Sequence, residues 1–300
     1  MKKAPPRRHG DHEVAEPQFL RVLGASVVNL WFHQSMPTFR STDAQLLYEV
    51  AGTGPDVVLL HAFPLNHSFW KSVADQLSTR YRVITPDLRA HGDSELGEGP
   101  ASMDKMAADL VKLCREERIT KAFFVGVSIG GYALFEFWRR SREQVAALVL
   151  ANTRAAAETP ESRANRLALA DKVLREGTAG FIEDMLPKLL SPTTLTNRPD
   201  IVDAARRMMQ KMSPQEMAGV QQGMAARPDS VATLKTISVP TLIITGADDS
   251  VPQSEAELMR QHIAGSRMAV IPRAGHYAAL EQPEEFGRLL RGFFDALPRS

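Results

Sequence analysis

The feature that most constrains the fold is a regular alternation of short apolar runs and amphipathic segments, which begins near residue 44. Most of the runs are continuous stretches of β-branched and aliphatic residues, which is typical of strands buried on both faces. The segments between them place apolar residues three and four positions apart, as a helix with one buried face requires. The alternation therefore predicts an α/β fold with a doubly wound, mainly parallel sheet.

The individual elements can be assigned from this pattern. We predict strands at 45–50, 57–61, 82–85, 122–126, 147–151, 241–245 and 268–271. The first of these alternates apolar and polar residues, which indicates an outer strand. We predict crossover helices at 68–80, 102–118, 129–140, 254–264 and 283–296.

The alternation is interrupted once, between residues 152 and 236. This segment contains four helical patterns separated by prolines and no clear strand. We therefore predict a helical lid at 152–236, inserted into a core formed by residues 38–151 and 237–300. Six of the twelve methionines lie in the lid, and flexible thioethers suit an adaptable apolar wall.

The first residues differ from the rest of the chain. A polar, proline-rich lead of 18 residues precedes a short apolar stretch, which contains Arg21 at its start. This order does not fit a secretory signal, and the stretch is shorter than the roughly 20 residues needed to span a bilayer. We predict that residues 1–37 form an extension that is mobile or packed on the surface, and that the protein is cytoplasmic. A natural start at Met36 is an alternative.

Charge and cysteine content exclude several classes of function. The 36 Lys and Arg residues nearly balance the 35 Asp and Glu residues, so no excess of charge favours nucleic acid or an anionic membrane as a partner. Cys114 is the only cysteine and cannot form an internal disulfide, and no zinc or calcium spacing occurs. The polar cluster at 9–13 is interpreted as solvated. We therefore expect no metal and no cofactor.

The sequence Gly126-Val-Ser128-Ile-Gly130 matches the G-x-S-x-G pattern of a nucleophile elbow. Three fixed positions are a weak signal alone, and a simple tight turn is the alternative. The context strengthens the match, because an apolar strand precedes Ser128 and an amphipathic helix follows it. A serine at such a junction is exposed to a substrate on a strained turn.

A serine hydroxyl becomes a strong nucleophile only with a base and a group that orients the base. His276 follows the last predicted strand, and the carboxyl ends of parallel strands are where α/β sheets place their sites. The loop after the preceding strand offers two candidate acids, Asp248 and Asp249. Both could instead be turn residues.

The order Ser128, aspartate, His276 resembles that of the α/β-hydrolases, in particular the lidded group of serine esterases, lactonases and cofactor-free haloperoxidases. The resemblance covers about residues 38–298. In that family the acid follows a glycine by three positions, so Gly246 points to Asp249, and Asp248 is the second candidate.

Two further loops resemble the family. The segment 60–65 is similar to its H-G-F-P loop, which implies that the backbone N–H groups of Phe63 and Ile129 form an oxyanion hole. The segment 86–94 is similar to its D-x-R-G-H-G-x-S loop, for which we predict a structural role. Ala62 and Ala90 stand where the family has glycine, and alanine at the first position requires a negative φ.

The resemblance implies a serine hydrolase that cleaves carboxylic esters of small, largely apolar molecules through an acyl-enzyme. The partner is then a small ester or lactone, and the oligomeric state is left open. Candidate pocket residues are aromatic or apolar and lie near the oxyanion loop or in the lid: Phe63, Trp70, Met185, Met208 and Tyr277.

Alternative functions stay open on the same residues. A 3-oxoadipate-type enol-lactonase would need cations for an anionic substrate, and the lid supplies Arg154, Arg163, Arg166 and Lys188, which solvated helix faces explain equally well. Peracid formation could be a side activity. A ligand-binding protein with little turnover is the alternative of another class.

Overall fold

Eight strands form one sheet in the computed structural model, which describes residues 36–297. The strands are β1 (Thr38–Arg40), β2 (Gln45–Ala51), β3 (Asp56–Leu60), β4 (Arg82–Pro86), β5 (Ala122–Val127), β6 (Val145–Ala151), β7 (Thr241–Gly246) and β8 (Arg267–Ile271). The central strands β3, β5, β6 and β7 are buried almost throughout, as their continuous apolar runs predict.

The sheet is mainly parallel, with the order β1-β2-β4-β3-β5-β6-β7-β8. Strand β2 pairs antiparallel with both β1 and β4, and every other pair is parallel. The predicted fold class is confirmed. Strand β1 was not predicted, because its three residues are too few to show a period.

Twelve α-helices lie in the described part of the chain. They are α1 (Lys71–Leu77), α2 (Met103–Glu116), α3 (Ile129–Ser141), α4 (Pro160–Glu176), α5 (Ala179–Leu189), α6 (Pro192–Asn197), α7 (Pro199–Met209), α8 (Pro214–Ala225), α9 (Val231–Leu234), α10 (Gln253–His262), α11 (Ala278–Glu281) and α12 (Pro283–Asp295). Helices α6, α9 and α11 were not predicted, since each is at most six residues long.

The helices α4 to α9 all lie between β6 and β7 and form the inserted segment, residues 152–240. Its sequence sets the helix starts. Helices α4, α6 and α8 each begin with proline after a capping residue, Thr159, Ser191 or Ser213, whose side chain accepts a backbone N–H of the first turn. In this segment α4 packs along α8.

The topology brings four loops to one edge of the sheet. Strands β5, β6, β7 and β8 are neighbours and run parallel, so their carboxyl ends lie side by side. The residues that follow these ends include Ser128, Asn152, Asp249 and His276. Doubly wound sheets bind ligands at this edge.

Some predictions fall outside the described residues. The N-terminal extension, apart from Met36 and Pro37, and the polar cluster at 9–13 belong to this group. Between Met36 and Leu297, no helix combines the length and apolar character that crossing a membrane requires.

Candidate active site

Ser128 lies on the sharp turn between β5 and α3. Its φ of 53° and ψ of −113° are a conformation that non-glycine residues rarely adopt. A Cβ at Gly126 would come within 2.6 Å of the Gly130 carbonyl group, and one at Gly130 within 2.6 Å of the Leu60 carbonyl oxygen. The turn therefore requires both glycines, because the strand and the helix approach too closely for a side chain.

His276 and Asp249 form a hydrogen-bonded pair. His276 Nδ1 lies 2.8 Å from Asp249 Oδ1, and the two side chains are 8% and 0% exposed. Burial by itself would raise the pKa of Asp249. The charge and hydrogen bond of His276, together with donors from Asn152 and the Val251 N–H, hold that pKa below its ordinary value instead. Asp249 is therefore ionised where it is hydrogen-bonded to the imidazole.

The other candidate acid has a different environment. Asp248 is exposed, and its backbone N–H donates to the Ala274 carbonyl at 2.9 Å. The geometry thus places Asp249 rather than Asp248 against the histidine, in agreement with the spacing from Gly246.

Asn152 and Thr153 join the serine turn to the aspartate–histidine pair. Asn152 Nδ2 donates to Asp249 Oδ2 at 2.7 Å and to the Gly275 carbonyl at 3.3 Å. Thr153 Oγ1 donates to the Ser128 carbonyl at 2.8 Å. The sequence analysis assigned no role to either residue. The available signal was position, because Ala151 pairs with Val127 and Asn152 is therefore level with the serine.

The histidine loop is also attached to the inserted segment. The His276 N–H donates to the Leu189 carbonyl at 2.9 Å. The buried carboxylate of Glu281 accepts the Gly275 N–H and the Ser191 N–H, each at 2.8 Å. Glu281 thereby fixes the position of the loop, a role that the sequence signals only by a charged residue in an apolar stretch.

The predicted oxyanion loop lies beside the serine turn, since Leu60 meets Gly130. Ala62 does not take a positive φ, so alanine is tolerated in place of the family's glycine. The Leu65 N–H donates to the Ala62 carbonyl at 2.9 Å, and Tyr277 Oη donates to the Phe63 carbonyl at 3.0 Å. Ile129 is the first residue of α3, where a backbone N–H has no acceptor within the helix.

Two buried histidines lie in or against this loop, since His61 is part of it and the His91 ring makes an edge contact with Phe63. His61 Nδ1 lies 3.0 Å from the Ala62 carbonyl, and His61 Nε2 accepts the Leu88 N–H at 3.0 Å. His91 Nδ1 lies 2.9 Å from the Arg89 carbonyl. Burial lowers the pKa of His61 to about 4 and that of His91 to about 3. Both rings are therefore neutral near pH 7.

The charged residues of the segment 86–94 have structural partners. Asp87 Oδ1 accepts the N–H and Nδ1 of His67, at 2.6 and 2.8 Å. The guanidinium of Arg89 is 1% exposed and bonds both oxygens of Asp109 as well as Asp43. These contacts agree with the structural role that we predicted for this loop.

The candidate pocket residues differ in their surroundings. Trp70 and Tyr277 are fully buried, and Met208 is 7% exposed. Met185 lines a cavity of about 170 Å³ between α4 and α5. Phe63 makes an edge contact with Phe181 of α5, with ring centroids 6.0 Å apart.

Two of the inserted segment's four candidate cations lie beside a buried carboxylate. The Glu158 side chain is 2% exposed, and Arg166 and Arg154 approach it at 3.0 and 3.9 Å. Arg227 is a third arginine at 3.4 Å and stacks on the Tyr132 ring. Arg163 and Lys188 are exposed.

Comparisons with known proteins agree with this architecture. The thermophilic esterase of Thermogutta terrifontis, in a malate-bound structure, is 38% identical with a TM-score of 0.84, over 87% of this chain and 98% of that one. The enol-lactonase of Burkholderia xenovorans is 25% identical with a TM-score of 0.81, over 86% and 100% of the two chains. The curated 3-oxoadipate enol-lactonase 2 of Acinetobacter baylyi is 27% identical, covering 83% of this chain and 92% of its own length.

A family model, described as the alpha/beta hydrolase family, matches residues 57–289. This range extends from β3 to α12 and includes the serine turn, the inserted segment and the aspartate–histidine pair. The chain belongs to the alpha/beta hydrolase family.

Proposed function

We propose that this protein is a serine hydrolase that cleaves carboxylic esters of small, largely apolar molecules. Ser128 is the nucleophile, His276 the general base and Asp249 the group that orients the base. The observation that supports this most strongly is the network around Asn152 and Thr153. It ties the Ser128 turn to a buried Asp249–His276 pair separated by 2.8 Å.

The proposed reaction has two halves. Ser128 Oγ attacks the ester carbonyl carbon while His276 Nε2 takes the hydroxyl proton, and the same proton then goes to the departing alcohol oxygen. Water repeats the sequence on the acyl-enzyme and releases the acid. The N–H groups of Phe63 and Ile129 stabilise the oxyanion of each tetrahedral intermediate.

The comparisons support the ester as the substrate class. An esterase is the structural relative at 38% identity, and the enol-lactonases at 25% and 27% identity are named for the opening of a cyclic ester. One nucleophile and one oxyanion hole serve both reactions. An enol-lactone is therefore the second candidate substrate, and peracid formation would need only hydrogen peroxide in place of water.

The test is hydrolysis of p-nitrophenyl esters from acetate to decanoate, with an enol-lactone assayed beside them. Ser128→Ala is expected to lower kcat by more than about 1,000-fold, and Asp249→Asn by up to about 10,000-fold, because the imidazole loses its orientation. Asp248→Asn is the matched control, since it removes the same charge one residue away, and it is expected to stay within about twofold of wild type.

Three outcomes would contradict the proposal. Turnover that survives in Ser128→Ala would exclude Ser128 as the nucleophile. An Asp248→Asn loss as large as that of Asp249→Asn would exclude the assignment of the acid. Release of a single equivalent of product with the ligand retained would favour a binding protein on the same fold.

A further inference from the structure

The inserted segment contains a cavity of about 170 Å³ between α4 and α5. Its apolar walls come from Leu169 and Val173 on α4 and from Phe181 and Met185 on α5. For comparison of size, a dry cavity of about 150 Å³ lined by Leu, Ile and Phe holds one benzene molecule. The cavity is therefore large enough for an apolar group of about six carbon atoms.

The ring of Phe181 is a wall shared by this cavity and the oxyanion loop. It lines the cavity, and its edge packs on Phe63 at a centroid separation of 6.0 Å. Phe181 itself is 3% exposed, so the ring fills the space between the two sites. Movement of this one side chain would open the cavity towards Phe63 of the oxyanion loop.

The charges around the cavity indicate a neutral occupant. Two cations, Lys172 and Lys188, and two anions, Glu176 and Asp184, line it, so their charges cancel. Lys172 and Asp184 join α4 to α5 at 3.8 Å with side chains 45% and 65% exposed. An ion pair this exposed contributes little, so it offers little resistance to an entering group.

We propose that this cavity binds the apolar group of the ester substrate, up to about six carbon atoms, after the Phe181 ring has moved aside. The inference rests on the proposed function, because the group enters the cavity while its carbonyl lies at Ser128. The apolar group belongs either to the acyl chain or to the alcohol, and separate substrate series distinguish the two.

Gly180 provides a variant that narrows the cavity. It lines the cavity in α5, and a Cβ added there meets no atom within 4 Å. Gly180→Leu therefore places bulk at the cavity, and its Cβ meets no collision. Gly292→Leu is the matched control, because Gly292 is also an exposed helical glycine with open space around its Cβ, on α12.

The acyl series compares p-nitrophenyl hexanoate with p-nitrophenyl acetate, and the alcohol series compares hexyl acetate with ethyl acetate. In each series the measured quantity is kcat/KM for the six-carbon substrate divided by kcat/KM for the short one. In the series whose group enters the cavity, we expect Gly180→Leu to lower this ratio by at least about tenfold, because apolar contacts are lost. Gly292→Leu is expected to keep the wild-type ratio. Equal ratios in the two variants, in both series, would overturn the proposal.

Phe181→Ala tests the wall itself. Removal of the ring joins the cavity to the oxyanion loop, so the preferred chain is expected to lengthen from about six carbons to eight or more. An unchanged chain-length profile in a folded Phe181→Ala protein would contradict the role of the ring.

A binding measurement separates failure of this inference from failure of the proposed function. Benzene is expected to raise the Tm of the wild type and of Ser128→Ala alike, and to raise it less in Gly180→Leu. A wild type that cleaves no ester refutes the proposed function, and benzene binding still tests the cavity. If esters are cleaved but benzene has no effect and the substrate ratios are unchanged, only the proposed role of the cavity is refuted.

Discussion

Acidification from pH 7 to pH 5 is expected to destabilise the fold through His61 and His91. Burial lowers the pKa of His61 to about 4 and that of His91 to about 3, so both stay neutral in the folded protein over this range. In the unfolded chain each has an ordinary pKa of about 6.5 and takes up a proton. The stabilisation that comes from keeping these two histidines neutral is therefore complete above pH 6.5. It is lost as the pH falls towards their pKa values in the folded protein.

The expected loss follows from these values. One pKa unit corresponds to about 1.4 kcal/mol, so the fall from the ordinary pKa to pH 5 costs about 2 kcal/mol per histidine. Together the two cost about 4 kcal/mol, a large part of the roughly 5–15 kcal/mol that stabilises a typical domain. His67 acts in the opposite direction. Burial alone would lower its pKa, but the hydrogen bond and charge of Asp87 raise it above the ordinary value.

The assay is urea unfolding of wild type and His91→Asn at pH 7 and pH 5. An asparagine amide at this position can still donate to the Arg89 carbonyl but does not titrate. The variant keeps His61 and His67, so its loss of unfolding free energy between the two pH values is expected to be about 2 kcal/mol smaller than that of wild type. Equal losses in the two proteins would refute the reasoning.

Three further predictions concern single side chains. Ala90 has a φ of 65°, so Ala90→Gly is expected to raise the free energy of unfolding in urea by about 0.5 kcal/mol, and a loss would contradict this. Asn152→Ala is expected to lower kcat for ester hydrolysis about 10- to 100-fold and to raise the pKa of Asp249, because Asp249 loses a hydrogen-bond donor; an unchanged kcat would contradict this role. Glu281→Gln is expected to lower the free energy of unfolding in urea by about 1–3 kcal/mol and to lower kcat, because an amide NH2 cannot accept a backbone N–H. Unchanged values in both assays would exclude the positioning role of Glu281.

The sheet could be predicted from the sequence because its central strands are buried on both faces and therefore appear as continuous apolar runs. Strand β1 and the helices α6, α9 and α11 could not, since segments of three to six residues show no clear period. The inserted segment was predicted at 152–236, because a long stretch of helical patterns replaces the strands there, and in the structure residues 152–240 lie between β6 and β7.

The candidate site was predictable where a local motif fixes the backbone. The close packing of Gly126 and Gly130 explains why the pattern around Ser128 is informative. Asn152 and Glu281 could not be found in this way, because their partners lie 97 and 90 residues away, at Asp249 and Ser191. Such contacts depend on how the loops meet at the sheet edge. The cavity beside Phe181 likewise depends on the packing of two helices.

The most direct test of the central claim is to label the nucleophile with diisopropyl fluorophosphate and locate the adduct by peptide mass spectrometry. Ser128 Oγ displaces fluoride from phosphorus, and its proton passes to His276. The proposed function predicts one phosphoryl group per chain on the peptide that contains Ser128, loss of ester hydrolysis in parallel, and no label in Ser128→Ala. Full labelling of Ser128→Ala, or hydrolysis that persists after Ser128 is fully labelled, would contradict it.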